Sequence, residues 1–120
     1  MEWNHRGSGH VHVMVDGPDV FFQEAFTLDN GLPCQDRKCW HFGAEGIIFR
    51  HFREQRFQDI LLLVPDTSGI HLVAQAPYAC PPDRYDGSLS LHNGTLELRL
   101  RITGARKDED IRYRYRADPG

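Results

Sequence analysis

The stretch of sequence that decides the fold is Thr95-Leu-Glu-Leu-Arg-Leu-Arg-Ile-Thr-Gly-Ala-Arg-Lys-Asp-Glu-Asp-Ile-Arg-Tyr-Arg-Tyr-Arg116. Apolar and polar residues alternate from Leu96 to Ile102, and the alternation resumes from Ile111 to Arg116 after a charged interruption at residues 104–110. Successive side chains of a strand point to opposite faces, so each half has one apolar face and one solvated face. The stretch therefore predicts two strands joined by a charged turn.

The rest of the chain is a series of short strands separated by turn residues. The predicted strands before the C-terminal pair are His10–Val15, Val20–Leu28, Lys38–Phe42, Gly46–Phe52, Phe57–Val64, Ile70–Ala76 and Ser88–Leu91. Asn93-Gly94 is typical of a tight hairpin turn. Turn residues recur about every 8–12 positions, which indicates an all-β sandwich or barrel. Only Asp19–Ala25 and Gln55–Leu62 leave room for a short helix, because brief apolar runs are ambiguous.

An antiparallel sheet of this size must protect its edges, and closure into a barrel removes them. We therefore predict an all-β protein with a single closed antiparallel β-barrel over residues 1–120, with little or no helix. Residues 1–8 are predicted to be a flexible or edge segment. The interior candidates are Val11, Val13, Val15, Phe22, Phe26, Ile48, Leu61, Leu63, Leu72, Leu98, Leu100, Ile102, Tyr113 and Tyr115.

Composition indicates an ordinary globular protein. The chain has 120 residues, 40% hydrophobic and 26% charged, with a net charge of −3. That charge gives no bulk basic field to attract nucleic acid or an anionic membrane. No apolar run approaches the ~20 residues that span a bilayer, and the N-terminus lacks the apolar centre of a secretory signal. We therefore predict a cytoplasmic protein with no membrane partner.

The cysteines raise the question of a metal site. Cys34, Cys39 and His41 lie close together in sequence, and His51 or Cys80 could complete a tetrahedral zinc site. No second pair with metal-ligand spacing accompanies them, and three cysteines make a poor disulfide framework. The sequence favours reduced structural thiols, and we predict no metal and no cofactor.

Three histidines could either face solvent without a functional role or take part in a site. His10 and His12 share one face of a strand and could hold a metal or sense pH, but their alternation with valines favours a solvated face. His71 is solvent-facing if Leu72 lines the core. The opposite register would make His71 an interior haem-ligand candidate.

Two segments resemble a known family. One is Tyr78-Ala-Cys80-Pro-Pro-Asp83-Arg-Tyr85, which contains a Cys-x-x-Asp-x-Tyr pattern, and the other is the Gly-Ala-Arg-Lys-Asp turn at residues 104–108. They resemble the lipocalin-like family of unknown function (domain of unknown function 6314). Tyr78 stands where that family has a His, and Ala105 stands where it has a Pro. The resemblance implies a calycin-type barrel over about Gly9–Arg116 and implies no reaction.

The leading functional hypothesis is binding of a small, largely apolar ligand inside the barrel without catalysis. Aromatic and aliphatic side chains with a few hydrogen-bonding tips are typical of such a lining. The residues expected to contact the ligand are Phe22, Phe26, Tyr85, Leu98, Leu100, Tyr113 and Tyr115. The alternative is that these side chains simply fill the core, since small barrels are often packed.

A polar group matches the family pattern and is expected at the barrel mouth. Its members are Asp83, Arg106, Lys107 and Asp108. Asp83 could pair with Arg106 or Lys107, which would either pin the barrel or frame a pocket. An enzyme that uses Asp83 and Tyr85 there is a further alternative. No nucleophile elbow and no phosphate-binding glycine loop accompanies them, so we predict no catalytic residue.

An arginine-rich outer face is the last candidate surface. It consists of Arg99, Arg101, Arg112, Arg114 and Arg116. Neighbouring acidic residues indicate cross-strand ion pairs, and no aromatic residue on that face is available to stack on bases. We therefore predict no nucleic-acid partner. A structural or protein-interaction module that uses this face is the alternative function, and a homodimer is compatible with the sequence.

Overall fold

The computed structural model describes residues 5–118, and every regular element in that range is a strand. The strands are β1 Gly7–Asp16, β2 Asp19–Leu28, β3 Pro33–Phe42, β4 Ile47–Arg53, β5 Arg56–Pro65, β6 Leu72–Ala74, β7 Tyr78–Cys80, β8 Asp83–His92, β9 Thr95–Gly104 and β10 Asp108–Arg116. The all-β prediction is confirmed, and neither Asp19–Ala25 nor Gln55–Leu62 is helical. Over residues 5–118 the chain forms no helix that could cross a membrane.

The strands form one curled antiparallel sheet rather than a closed barrel. The order is β1-β2-β3-β4-β5-β6-β8-β9-β10, and β7 pairs with β8. Within the described chain, no backbone pairing joins β1 to β10, so the prediction of closure is wrong and the fold is a half-barrel. Because each neighbour in this nine-strand path is antiparallel, β1 and β10 run in the same direction. Direct closure would need a parallel pair, which is slightly less stable per residue.

The C-terminal pair forms as its sequence predicts. β9 and β10 are antiparallel, with Leu98 opposite Tyr113 and Leu96 opposite Tyr115. The Asn93-Gly94 turn joins β8 to β9, and both residues have positive φ, as this hairpin type requires. The charged interruption is shorter than predicted, because β9 runs to Gly104 and β10 begins at Asp108.

The hydrophobic core lies on the concave face of the sheet. Its buried members are Trp40, Phe49, Ile60, Leu61, Leu63, Leu89, Leu98 and Leu100. Most of them come from β5, β8 and β9, near the middle of the strand order. Of the predicted interior positions, Leu61 and Leu63 belong to this core, and Ile102 is also buried. Ile48 is half-buried, and since it precedes the fully buried Phe49 in β4, it points to the opposite face.

The valines of β1 depart from the predicted core. Val13 is 51% exposed and Val15 is 71% exposed, whereas Val11 is half-buried. The alternation of β1 correctly places all three valines on one face, the same face of the sheet as their inward-pointing partners in β2. They remain exposed because β1 is an edge strand and no further strand covers it.

Candidate functional site

Charged side chains lie together on the concave face, next to the hydrophobic core. Lys38 is fully buried, and its Nζ lies 2.8 Å from each carboxylate oxygen of Glu24 and 2.9 Å from Oδ2 of Asp36. His51 Nε2 lies 2.6 Å from Oδ1 of Asp36. Tyr115 donates its hydroxyl to Oε2 of Glu24 over 2.7 Å. We call these five residues the inner polar cluster.

Strand register brings the inner polar cluster together. Glu24 lies opposite Asp36 across β2 and β3, and Lys38 lies opposite His51 across β3 and β4. Alternation then places all four on the concave face beside Trp40 and Phe49. No sequence motif predicts this cluster. The sequence does contain one indication, because a polar residue two positions from an apolar one in a strand lies on the same face, as Glu24 does with Phe22.

Tyrosine rings and burial set the electrostatics of the cluster. Lys38 Nζ lies 3.6 Å from the centre of the Tyr113 ring, a cation–π contact. Burial and the charges of Asp36 and Glu24 raise the pKa of Tyr113 well above its usual range. Burial and the Glu24 carboxylate raise the pKa of Tyr115 in the same direction. Both hydroxyls therefore stay protonated, and Tyr115 acts as a hydrogen-bond donor.

Asp36 remains ionised despite its burial. Burial alone would raise its pKa, but the hydrogen bond to His51 and the charge of Lys38 outweigh burial, and the pKa lies below its ordinary value. Lys38 is thus enclosed by two carboxylates and a π face. Each carboxylate of the cluster also accepts a second hydrogen bond or ion pair. This arrangement stabilises a buried cation and leaves no free nucleophile.

A cleft opens where the half-barrel fails to close. Its volume is about 420 Å³, and it lies between β1 and β10. Its lining residues are Gly9, His10, Val11, Val13, Phe22, Gly94, Leu96, Arg114, Tyr115, Arg116, Ala117 and Asp118. The ring of Phe22 meets the Tyr115 ring edge-on, with 5.0 Å between their centres. We call this space the seam cleft. Its apolar and aromatic lining, which we call its floor, is formed by Val11, Val13, Phe22, Leu96 and Tyr115, and charged residues such as Arg114 and Asp118 complete the lining. Tyr115 connects the cleft to the inner polar cluster.

The predicted ligand-binding residues divide among three places. Phe22 and Tyr115 line the seam cleft. Phe26 lines a second, more open cleft of about 570 Å³ at the β1, β2 and β3 strands, together with Cys34. Leu98 and Leu100 are buried in the core. The remaining two, Tyr85 and Tyr113, are half-buried and line neither cleft.

The predicted mouth group is split between two surfaces. Lys107 Nζ lies 3.5 Å from Oδ2 of Asp83, and this carboxylate raises the pKa of Lys107. The pair is brought together because Asp83 lies opposite Gly104, at the start of the turn. Asp108 instead binds Arg101 across 2.6 Å on the outer face, and Arg106 is exposed in the turn.

Tyr85 lies near the Asp83 end of β8 without forming a catalytic pair. The guanidinium of Arg53 donates to its hydroxyl over 3.4 Å and lies 5.6 Å from its ring centre. Tyr78 packs against the same ring, with 5.9 Å between centres. These contacts anchor the short strand β7 on β8.

The cysteines do not converge on one point. Cys34 and Cys39 lie five residues apart in β3, so they point to opposite faces of the sheet. Burial and the charge of Asp19 raise the pKa of the Cys39 thiol, which disfavours the thiolate that binds metal. Over residues 5–118, no group of three or more metal-ligating side chains occurs. His41 and His51 bind carboxylates, at 2.7 Å and 2.6 Å.

Ion pairs occupy most of the arginine-rich outer face. Arg99 binds Asp110 through two hydrogen bonds of 3.0 and 2.8 Å, and Arg114 donates to Glu97 over 2.9 Å. The pKa of Asp110 is lowered by its hydrogen bond with Arg99. These cross-strand pairs neutralise much of the positive charge at the centre of the face.

Comparison with known proteins yields a family but no function. The model of a family described only as a family of unknown function, DUF6314, matches residues 2–117. No curated protein and no solved structure matches the chain.

Proposed function

This chain belongs to DUF6314, a family of unknown function, and we propose that it is a non-catalytic protein that binds a small, largely apolar ligand in the seam cleft. The single observation that carries the proposal is the cleft itself. Its volume of about 420 Å³ falls in the range of small-molecule pockets. Its floor combines Val11, Phe22 and Leu96 with one fixed polar group, the Tyr115 hydroxyl.

The inner polar cluster supports binding rather than catalysis. A general base needs a free lone pair within reach of a substrate proton. The carboxylates of Glu24 and Asp36 are already engaged by Lys38, Tyr115 and His51. The cluster therefore provides a rigid polar support that fixes the orientation of Tyr115 at the floor of the cleft.

The test is a titration with Nile red, a neutral apolar fluorophore whose emission rises in an apolar site. We expect saturable binding that Val13→Asp weakens at least about tenfold, because a carboxylate would then enter the apolar floor. The control is Ile70→Asp, since Ile70 is 71% exposed and lies outside both clefts. Equal binding by both variants, or no saturable binding by the natural chain, would refute the proposal.

Native mass spectrometry of the freshly purified protein complements the titration. A bound small molecule would appear as a fixed mass increment above that of the chain. We expect the increment to shrink in Val13→Asp and to persist in Ile70→Asp. A bound metal or haem would instead contradict the prediction that the protein has no cofactor.

Three further predictions remain proposals. A calycin-type relationship is supported by the up-and-down order of the curled sheet. A cytoplasmic location is supported by the free thiols of Cys34, Cys39 and Cys80. A single domain over residues 1–120 is supported by the one continuous sheet, while residues 1–4 and 119–120 lie outside the described part. The role predicted for residues 1–8 falls partly on those residues.

A further inference from the structure

The directions of β1 and β10 at the gap between them, which we call the seam, suit one more antiparallel strand. β1 and β10 run in the same direction and do not pair. A strand inserted between them could run antiparallel to both. The path would then contain ten antiparallel strands, an even number, and the barrel would close with no parallel pair. The open backbone edges on the two sides of the seam are the surface that such a strand needs.

The edge of β1 lacks the features that normally prevent strand addition. Natural edge strands carry lysine, proline or inward-pointing charges. From Gly7 to Val15, β1 contains none of these. Three consecutive large side chains are exposed instead: Val13 at 51%, Met14 at 57% and Val15 at 71%. An apolar strand edge of this kind is typical of a surface that another polypeptide covers.

The backbone groups of β1 that face the seam can be identified from the hairpin. The two-residue turn Gly17-Pro18 joins β1 to β2 and sets Asp16 opposite Asp19. In such a hairpin, alternate residues starting at Asp16 bond to β2. The intervening residues, among them Val13, therefore direct their N–H and C=O groups to the open edge.

The charges beside the seam indicate which side chains an added strand would carry on its outward face. The outward-facing side chains of the two edge strands include His10, His12, Arg112, Arg114 and Arg116, and they also include the acidic residues Asp16, Asp108 and Asp110. Arg114 is bound to Glu97, and Arg112 lies 3.9 Å from Asp110. Arg116 forms no ion pair within the described chain, and it is one of the residues that line the seam cleft. A strand with acidic residues on this side would be attracted, and a basic strand would be repelled.

We propose that the seam binds an extended segment of another protein, which adds as one antiparallel strand with apolar residues pointing inward and acidic residues pointing outward. The inward side chains cover Val13 and Val15 and enter the seam cleft. The outward carboxylates meet Arg116 and its neighbours. This interaction goes beyond the binding of a small ligand. Because both occupants contact Val11 and Val13, they exclude one another.

The experiment uses a fluorescein-labelled peptide of seven residues in which glutamate and valine alternate. Fluorescence anisotropy with the full chain measures its affinity. The matched control peptide alternates lysine and valine. We expect at least about tenfold weaker binding of the lysine peptide, and an affinity of the glutamate peptide that falls as salt rises.

Two variants of one residue separate backbone pairing from side-chain contact. Val13→Pro removes the N–H that faces the seam, and proline is tolerated on the open side of an edge strand. Val13→Thr keeps that N–H and the β-branched shape. We expect Val13→Pro to weaken peptide binding at least about tenfold and Val13→Thr to weaken it only slightly. Circular dichroism and urea denaturation establish that each variant remains folded.

Three results would overturn the proposal. Equal affinity for the two peptides would show that outward charge does not select the strand. Equal effects of Val13→Pro and Val13→Thr would show that the edge backbone is not used. A peptide-free dimer with the β1 amides protected from exchange would show that a second copy of the chain occupies the seam. Nile red binding to the natural chain tests the small-ligand proposal independently of all three.

Discussion

Lys38 is the residue that the structure uses in the least expected way. It sits in the middle of β3, fully buried, between Glu24, Asp36 and the Tyr113 ring. Lysine is almost never fully buried unless it is paired. Burial of a charge carries a high desolvation cost, so such a group is tolerated only when each partner is in place. The inner polar cluster therefore depends on Lys38 as its centre.

Replacement of Lys38 tests this dependence. Lys38→Met keeps the approximate length of the side chain and removes the charge, which leaves the buried carboxylate of Glu24 and the half-buried carboxylate of Asp36 without their common partner. We expect a loss of about 3–5 kcal/mol in the free energy of unfolding. Urea denaturation followed by circular dichroism measures it.

The matched control is Lys107→Met, which breaks the ion pair with Asp83 at the exposed turn. We expect this variant to lose only a small fraction of the stability that Lys38→Met loses, because exposed ion pairs contribute little. Similar losses in the two variants would contradict the central position of Lys38.

Asp36 gives the cluster a defined pH dependence. Its pKa is lower in the folded chain than its ordinary value, because His51 and Lys38 favour the carboxylate. The stability that this shift contributes is present above the unfolded pKa, at about pH 4, and is lost as pH falls through the folded pKa. Asp36→Asn cannot titrate, so its stability should fall less steeply than that of the natural chain as pH falls below about 5. Parallel stability curves from urea titrations would refute this prediction.

Strands with one apolar and one polar face were predictable from the sequence. Strands whose inner face carries both polar and apolar residues were not. β9 alternates Leu98 and Leu100 with charged residues, so its extent and faces were read correctly. The predicted strand Lys38–Phe42 does not include the first half of β3, whose inner face carries the polar residues Cys34 and Asp36. Polar residues there satisfy one another only after β2 and β4 are placed beside them. Pairing across strands is invisible in a single sequence, and this is why the inner polar cluster was missed.

β1 depends on Gly9 for its contact with β2. A Cβ atom at Gly9 would overlap the carbonyl oxygen of Ala25 on the paired strand. We expect Gly9→Ala to displace the first half of β1, with faster hydrogen exchange at the amides of His10 and His12, which pair with β2. The neighbouring Ser8→Ala is the control, because Ser8 already carries a Cβ atom. Unchanged exchange in Gly9→Ala would mean that β1 tolerates a wider separation from β2.

At the scale of the whole molecule, the structure departs from its sequence-based prediction in the closure of the sheet. The many short antiparallel strands and the curled sheet were predictable from alternation and turn residues. Closure was not, because it depends on the number of strands in the path and on the direction of the last one. The brief strand β7, at Tyr78–Cys80, pairs beside the path and does not fill the gap. The same gap forms the seam cleft, so the candidate binding site exists because the sheet does not close.

Hydrogen exchange of the free protein, resolved residue by residue by NMR, tests the open seam most directly. If β1 and β10 are unpaired edges, the amide of Val13 exchanges quickly, whereas amides of the central strand β9, such as Leu98, are strongly protected. An open seam also predicts no backbone nuclear Overhauser contacts between β1 and β10. Slow exchange at Val13 together with such contacts would show a closed barrel, and would contradict both the seam cleft and the functions proposed for it.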